Sequence, residues 1–293
     1  MTILTEPEVE IIAPEMKKLV DQNKAVFCVG DNFQFTEGPV WLKRNQCLLF
    51  SDIPANTIYS WSSEQGLSEW RKPSNNANGN TIDNEGRLIT CEHTSRRITR
   101  TERDGKITIL TQTYQGKHLN SPNDVVVKRD GTIWFTDPPY GIKPEMQEQS
   151  ANYVFRLDTG REEPVPVVEN FSRPNGLCFS PDEKFLYIGD SDTKIHHVHR
   201  FIVLDNNTLE EEGIFTAINP GVPDGMRVDS EGHLFCSAGD GIQVFNVNGK
   251  LIGKILTPQT ASNCAFGGSG FKDLFITAVK SVWKVSLLIA GAH

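Results

Sequence analysis

The sequence has no excess of positive charge and no long apolar run. Its 293 residues include 29 Lys and Arg against 37 Asp and Glu, which gives a net charge of −8. A chain with this charge is poorly suited to bind a phosphate backbone or an anionic membrane surface. No apolar stretch approaches the length of a membrane span. We therefore expect neither nucleic acid nor a membrane as a partner.

The sequence also lacks the features of a secreted protein. Residues 1–10 contain neither the basic segment nor the apolar segment of a signal peptide, so we expect a cytoplasmic chain. No Cys-x-x-Cys pair occurs, and most cysteines lie inside apolar runs, which predicts buried, reduced thiols. The six cysteines are Cys28, Cys47, Cys91, Cys178, Cys236 and Cys264.

Helical periodicity is scarce. Only residues 14–21 show the pattern of a short helix, with Met16, Leu19 and Val20 on one side. We expect residues 1–24 to form an extension that packs on the outside, and residues 25–293 to form a single domain of strands. Near the C-terminus, the run 281–287 should pair with strand material from the N-terminus. Two long connections, at 116–121 and 141–150, should lie together at the mouth of the domain.

The sequence does contain a sixfold repeat. A polar residue, here called a station, stands before an apolar run, and a second apolar run follows ten or eleven residues later. The stations are spaced by 39 to 52 residues, which in a chain of strands indicates the blades of a propeller. We predict an all-β, six-bladed β-propeller whose stations meet at the central channel. The stations are Glu37, Asn78, Asn123, Asn175, Asp224 and Asn263.

Two carboxylates among these stations predict a metal site. Glu37 and Asp224 would repel each other in the channel, and a divalent cation would relieve that repulsion. Oxygen donors favour a hard ion such as Ca²⁺, Mg²⁺ or Mn²⁺, although an open oxygen site also accepts Zn²⁺ or Fe²⁺. For Asn78 and Asn263 the alternative stays open that they are simply turn residues before a strand.

Six ordered motifs resemble the gluconolactonase branch of the SMP-30/gluconolactonase/luciferin-regenerating enzyme family. The motifs are FTEGPVW at 35–41, FSD at 50–52, SPND at 121–124, FTDPPYG at 135–141, RPNGL at 173–177 and VPDGM at 222–226. The resemblance implies a six-bladed propeller with one divalent metal in the channel, Ca²⁺ being the leading choice. It also implies an enzyme that hydrolyses sugar lactones.

The resemblance further implies roles for individual residues. Glu37, Asn175 and Asp224 match metal ligands, and Asn123 lies close enough to bind the metal or the substrate. Asp224 matches the residue that transfers protons. Asp137 matches a position that some relatives use for calcium, and we assign it to the substrate-binding region. The family's substrate-contacting arginine has no match at Ser121, so the substrate contacts must come from elsewhere.

The stretch CEHTSRR at 91–97 is a candidate for those contacts, because gluconolactonase-like sequences carry a similar Cys-Glu-His stretch. His93 and Arg97 are therefore predicted substrate-binding residues, with a solvated surface loop as the alternative. A histidine-rich stretch has the alternating pattern of a strand, with His197 and His199 on one face, so we interpret these histidines as structural.

These parts predict metal-assisted hydrolysis of an aldonolactone to its acid, with Asp224 as general base and then general acid. The sequence has no Gly-x-Ser-x-Gly motif and no nucleophile paired with a base, so a covalent acyl-enzyme is not supported. Two alternatives remain. One is a metal-dependent esterase that acts on aryl esters or organophosphates. The other is a non-catalytic propeller that serves as an interaction or metal-binding platform.

Overall fold

A computed structural model describes residues 5–21 and 26–292. In these ranges the chain forms six antiparallel blade sheets, five of four strands and one of five, and a separate two-stranded hairpin. The innermost strands contact one another in cyclic order, and the last contacts the first, so the sheets close into a ring. The prediction of an all-β, six-bladed propeller is confirmed.

The first three blades follow one another along the chain. The strands of blade 1 are Thr36–Leu42, Cys47–Asp52, Thr57–Ser62 and Gly66–Arg71. The strands of blade 2 are Ala77–Ile82, Leu88–Glu92, Arg97–Thr101 and Ile107–Thr111. The strands of blade 3 are Val125–Val127, Ile133–Asp137, Tyr153–Leu157 and Val165–Val168. A small hairpin, Thr113–Tyr114 with Lys117–His118, connects blades 2 and 3.

The remaining blades complete the ring. The strands of blade 4 are Pro174–Phe179, Phe185–Asp190, His197–Val203 and Leu209–Ala217. The strands of blade 5 are Met226–Val228, Leu234–Ala238, Gly241–Phe245 and Leu251–Leu256. The strands of blade 6 are Asn263–Gly267, Asp273–Ala278 and Ser281–Ser286, with Val26–Gly30 as its outermost strand. Short 3₁₀ helices lie at Pro14–Lys18, Pro144–Met146 and Ser269–Phe271.

Blade 6 closes the ring with both ends of the chain. Its outer pair is antiparallel, with Val26 opposite Val285, as the sequence predicts for the run near the C-terminus. At this junction Trp41 of blade 1 stacks on Phe275 of blade 6, with ring centroids 5.4 Å apart. Such closure leaves few strand edges unpaired.

The N-terminal segment adds a strand that the sequence reading does not include. Glu8–Ile11 pairs with Leu251–Leu256 as a fifth strand of blade 5. The predicted helix at 14–21 is a 3₁₀ helix over Pro14–Lys18, and Met16 and Leu19 pack into the core between blades 5 and 6. The predicted boundary between residues 24 and 25 lies outside the described residues.

Close packing of the innermost strands explains why glycine follows several stations. A Cβ added at Gly176 would lie 2.0 Å from the carbonyl oxygen of Asp224, and one at Gly225 would lie 1.8 Å from Cγ of Asn263. In blade 4 the register of the innermost pair also shifts between Pro174 and Leu177, around the station. A local irregularity of this kind changes the direction of a side chain from the one that the regular alternation between the two faces of a strand would give it.

The predicted burial of the cysteines is correct for four of them. Cys91, Cys178, Cys236 and Cys264 are buried, whereas Cys47 is half-buried and Cys28 is exposed. The prediction is therefore wrong for Cys28, because the outermost strand of a blade has one face toward solvent. None of the helices in the described ranges has the length and apolar character needed to cross a membrane.

Candidate active site

Five of the six stations line a cavity at one end of the central channel. The cavity has a volume of about 670 Å³, and its lining includes Glu37, Asn78, Asn123, Asn175 and Asp224. Each station lies at or just before the start of an innermost strand, so the ring geometry brings five blades to one place. His93, which follows the second strand of blade 2, also lines this cavity.

Glu37 is a buried carboxylic acid with two hydrogen-bond donors on one oxygen. Its Oε2 accepts from the backbone N–H of Gly38 at 2.6 Å and from Nδ2 of Asn263 at 3.0 Å. Burial, and after it the nearby charge of Asp124, raise the pKa of Glu37 to about 7. Asn263, the sixth station, thus reaches the site through Glu37.

Asp224 is destabilised as an anion by the same environment. Burial raises the pKa of Asp224 well above its usual range, and the charges of Glu37 and Asp124 add to this effect, while the Asn175 amide opposes it. Two carboxyl groups that face one cavity therefore resist simultaneous ionisation in the absence of a cation.

The asparagine stations form a directional chain of hydrogen bonds. Asn78 donates one N–H to Nε2 of His93 at 3.1 Å and another to Oδ1 of Asn123 at 2.5 Å. Asn123 in turn donates to Oδ1 of Asn175 at 2.5 Å. Asn175 then stabilises Asp224 through a side-chain hydrogen bond. Asn78 is therefore a member of this chain, and Asn263 bonds to Glu37 instead, so both side chains do more than occupy a turn before a strand.

His93 is neutral in this chain of hydrogen bonds. Burial lowers the pKa of His93 to about 4. Because Nε2 accepts from Asn78, the ring proton of the neutral imidazole lies on Nδ1. His93 is thus an acceptor that fixes Asn78.

Arg97 and Asp137 do not line the cavity. Nε of Arg97 lies 2.7 Å from Oε2 of Glu92, a buried carboxylate that also pairs with Arg71 at 3.0 Å. Asp137 is buried, and its Oδ2 accepts from the backbone N–H of Asn120 at 2.7 Å. Burial raises the pKa of Asp137 to about 7.

The chain matches the model of the SMP-30/Gluconolactonase/LRE-like region over residues 35–280. It belongs to this family. A gluconolactonase from Zymomonas mobilis is 34% identical over 303 residues, covering 93% of this chain and 84% of that protein. A pentonolactonase from Haloferax volcanii is 26% identical over 85% of this chain and 83% of its own length. The solved structure of a gluconolactonase from Xanthomonas campestris is 35% identical, with a TM-score of 0.90 over 96% of this chain and 94% of that chain.

The donor set of this family member suits a hard cation. Glu37 and Asp224 offer carboxylate oxygens that resist joint ionisation, and Asn123 and Asn175 offer amide oxygens beside them. The described ranges contain no group of three His, Cys, Asp or Glu side chains placed to hold a metal. A cation at this site therefore needs the amide oxygens as well as the two carboxylates.

The histidine-rich stretch has structural contacts. Nδ1 of His196 lies 2.7 Å from the carbonyl oxygen of Ile218, and Nδ1 of His199 lies 2.9 Å from Oε1 of Glu211. Both contacts link the third strand of blade 4, or the turn before it, to the fourth strand of that blade or the residue that follows it. These contacts fit the structural interpretation.

Sequence reasoning missed four residues around the site. Tyr140 and Arg173 line the cavity. Asp124 and Arg227 lie nearby, with Oδ2 and NH1 3.7 Å apart. A signal exists for Asp124, because four other stations have glycine at the following position. Arg173 stands two residues before the station Asn175, at the start of the motif RPNGL at 173–177.

Proposed function

We propose that this chain opens an aldonolactone, such as glucono-1,5-lactone, to the corresponding aldonic acid in a metal-dependent reaction. The prediction of a lactone-hydrolysing enzyme is confirmed at the level of the family, whose members named above are a gluconolactonase and a pentonolactonase. The observation that carries the proposal for this chain is the cavity itself. Two carboxyl groups with raised pKa values face it beside a chain of amides.

Glu37, Asn175 and Asp224 would hold the divalent cation, with Asn123 as a further oxygen donor. Ca²⁺ is the leading choice, and Mg²⁺, Mn²⁺, Zn²⁺ and Fe²⁺ suit the same donors. When bound, the cation supplies positive charge that polarises the lactone carbonyl and stabilises the oxyanion formed from it. It also favours the ionised forms of Glu37 and Asp224.

Asp224 would move the proton. As its carboxylate, it accepts a proton from the water that attacks the carbonyl carbon. The bond from that carbon to the ring oxygen then breaks, and Asp224 returns the proton to the departing oxygen, which becomes a hydroxyl group. Water is consumed and the hydroxy acid is formed, and the residue ends in its starting state. The Asn175 amide keeps the Asp224 carboxyl group oriented in the cavity.

Asn123 and His93 would orient the substrate and its surroundings. Asn123 lies between two amide neighbours in the hydrogen-bonded chain, and His93 anchors that chain at its far end. We propose that Arg97 and Asp137 act indirectly. Arg97 fixes Glu92, the residue before His93, and Asp137 holds Asn120 near the segment that carries Asn123.

A panel of substrates and metals tests the proposal. The purified protein is assayed by pH-stat with glucono-1,5-lactone, δ-valerolactone and an aryl acetate, first in chelator and then with each of the five metals. We expect metal-dependent hydrolysis of glucono-1,5-lactone above the spontaneous rate. Hydrolysis of the aryl ester alone would favour the esterase alternative, and no turnover with any metal would favour the non-catalytic one.

A further inference from the structure

The cavity contains many hydrogen-bonding groups, but most of their donors are already engaged. Both N–H groups of Asn78 are directed to His93 and Asn123. Asn123 donates to Asn175, and Asn175 stabilises Asp224. The Ser191 hydroxyl donates to the carbonyl oxygen of Pro223. A polyhydroxylated ligand therefore needs donors from other parts of the lining.

Among the described residues that line this cavity, one is an arginine, Arg173. Three other arginines have carboxylate partners. Arg71 and Arg97 pair with Glu92, and Arg96 pairs with Glu148. Within residues 5–21 and 26–292, no carboxylate lies within ion-pair distance of the Arg173 guanidinium, which instead lies over the ring of Tyr140, 5.5 Å from its centroid. Tyr140 accepts a side-chain hydrogen bond from Arg173, and Asp192, which also lines the cavity, interacts with the Arg173 charge from beyond ion-pair distance. Because a guanidinium has five N–H donors, donors remain for a ligand.

The backbone of Arg173 is firmly held. Its N–H donates to Oδ1 of Asp190 at 3.0 Å, and its carbonyl oxygen accepts from the N–H of Ser191 at 2.9 Å. Two residues later the chain reaches Asn175, whose amide stabilises Asp224. The anchored backbone and the Tyr140 ring together restrict the side chain, which lowers the entropy lost when it binds a ligand.

We propose that Arg173, held against Tyr140, binds the hydroxyl groups of a polyhydroxylated lactone and so determines the substrate class. This inference rests on the proposed lactonase function. A guanidinium presents five N–H donors in a flat fork and no acceptor, which suits several neighbouring hydroxyl oxygens better than a single ammonium does. An unsubstituted lactone has no hydroxyl groups for this fork and gains nothing from it.

Kinetics of Arg173→Ala on two lactones test the inference, with the metal that best supports wild-type turnover. We expect KM for glucono-1,5-lactone to rise about tenfold or more, the loss of one good polar contact, while δ-valerolactone changes by less than about twofold. Arg173→Lys should stay at least about fivefold worse than wild type on glucono-1,5-lactone, because it lacks the fork. Arg161→Ala, at an exposed position outside the cavity lining, is the matched control and should resemble wild type.

Equal losses on both lactones, or a lysine variant equal to wild type, would overturn the inference while leaving the lactonase proposal intact. Calorimetric measurement of the binding of D-gluconate, the expected product, distinguishes a failure of the Arg173 inference from a failure of the lactonase proposal. If wild type binds D-gluconate without lactone turnover and Arg173→Ala binds it at least about tenfold more weakly, the inference stands and the proposed reaction fails. If wild type neither turns over the lactone nor binds D-gluconate, both are wrong.

Discussion

Glu37 and Asp224 face the same central cavity, where burial first of all and then the charge of Glu37 raise the pKa of Asp224, while burial also raises the pKa of Glu37. This relationship joins blade 1 to blade 5, which are far apart in sequence. Ionising both carboxyl groups is therefore costly without a cation, and a positive charge in the cavity would stabilise their ionised forms.

The first prediction concerns metal and pH. The pKa of Glu37 is raised from 4.5 to about 7, so its contribution to stability is fully present below about pH 4.5 and is lost as pH rises through about 7. A cation needs the ionised carboxylates and stabilises the fold by binding. We therefore expect Ca²⁺ to raise Tm more at pH 8 than at pH 5, as measured by calorimetry against a chelator. Glu37→Gln should weaken the stabilisation by Ca²⁺ at pH 8, because one of the two carboxylate ligands is lost, and a wild-type metal shift that is equal at both pH values would contradict the assignment.

The second prediction concerns Asp224→Asn. Loss of the proton-transfer group should lower kcat/KM for glucono-1,5-lactone by about 10²–10⁴-fold. The same substitution removes one of the carboxyl groups that repel one another at this site, so Tm in chelator should equal or exceed that of wild type. Asp182→Asn, at a turn where the side chain is 55% exposed, is the matched control. Wild-type turnover by Asp224→Asn would exclude Asp224 as the base.

The third prediction separates a direct from an indirect role for Arg97. Its guanidinium is paired with buried Glu92, beside His93. Arg97→Ala should reduce the free energy of unfolding by about 1–3 kcal/mol, because the Glu92 carboxylate loses a charged partner. It should also reduce kcat/KM by a similar factor for glucono-1,5-lactone and δ-valerolactone. A loss confined to glucono-1,5-lactone would instead support direct contact with the sugar hydroxyls.

The fourth prediction tests the packing of the innermost strands. Gly176→Ala places a methyl group where only 2.0 Å separates it from the carbonyl oxygen of Asp224, so blade 4 or blade 5 must shift. We expect destabilisation of about 3 kcal/mol or more by chemical denaturation. In Gly160→Ala the new methyl group has no atom within 4 Å. The free energy of unfolding should therefore fall only by the cost of the positive φ for alanine, about 1–2 kcal/mol. Equal effects of the two substitutions would argue against tight contact between these blades.

The sequence by itself determined the number of blades and the residues that begin them. Alternating apolar runs and the spacing between Glu37 and Asn263 are properties of consecutive residues, and they set strand length and blade length. The repeat therefore predicts which side chains approach the channel. The motifs around Asn175 and Asp224 indicate the family.

The sequence did not determine the partners of those side chains. Arg97 and Arg173 both lie near a motif, but Arg97 pairs with Glu92 while Arg173 lines the cavity over Tyr140. Tyr140 belongs to blade 3 and Arg173 to blade 4, so their contact exists only once the ring is closed. The hydrogen bond from Asn78 to Asn123 likewise crosses from blade 2 to blade 3. Local periodicity places a residue on a strand, whereas hydrogen-bond geometry between blades depends on the angle and closeness at which the closed ring packs them.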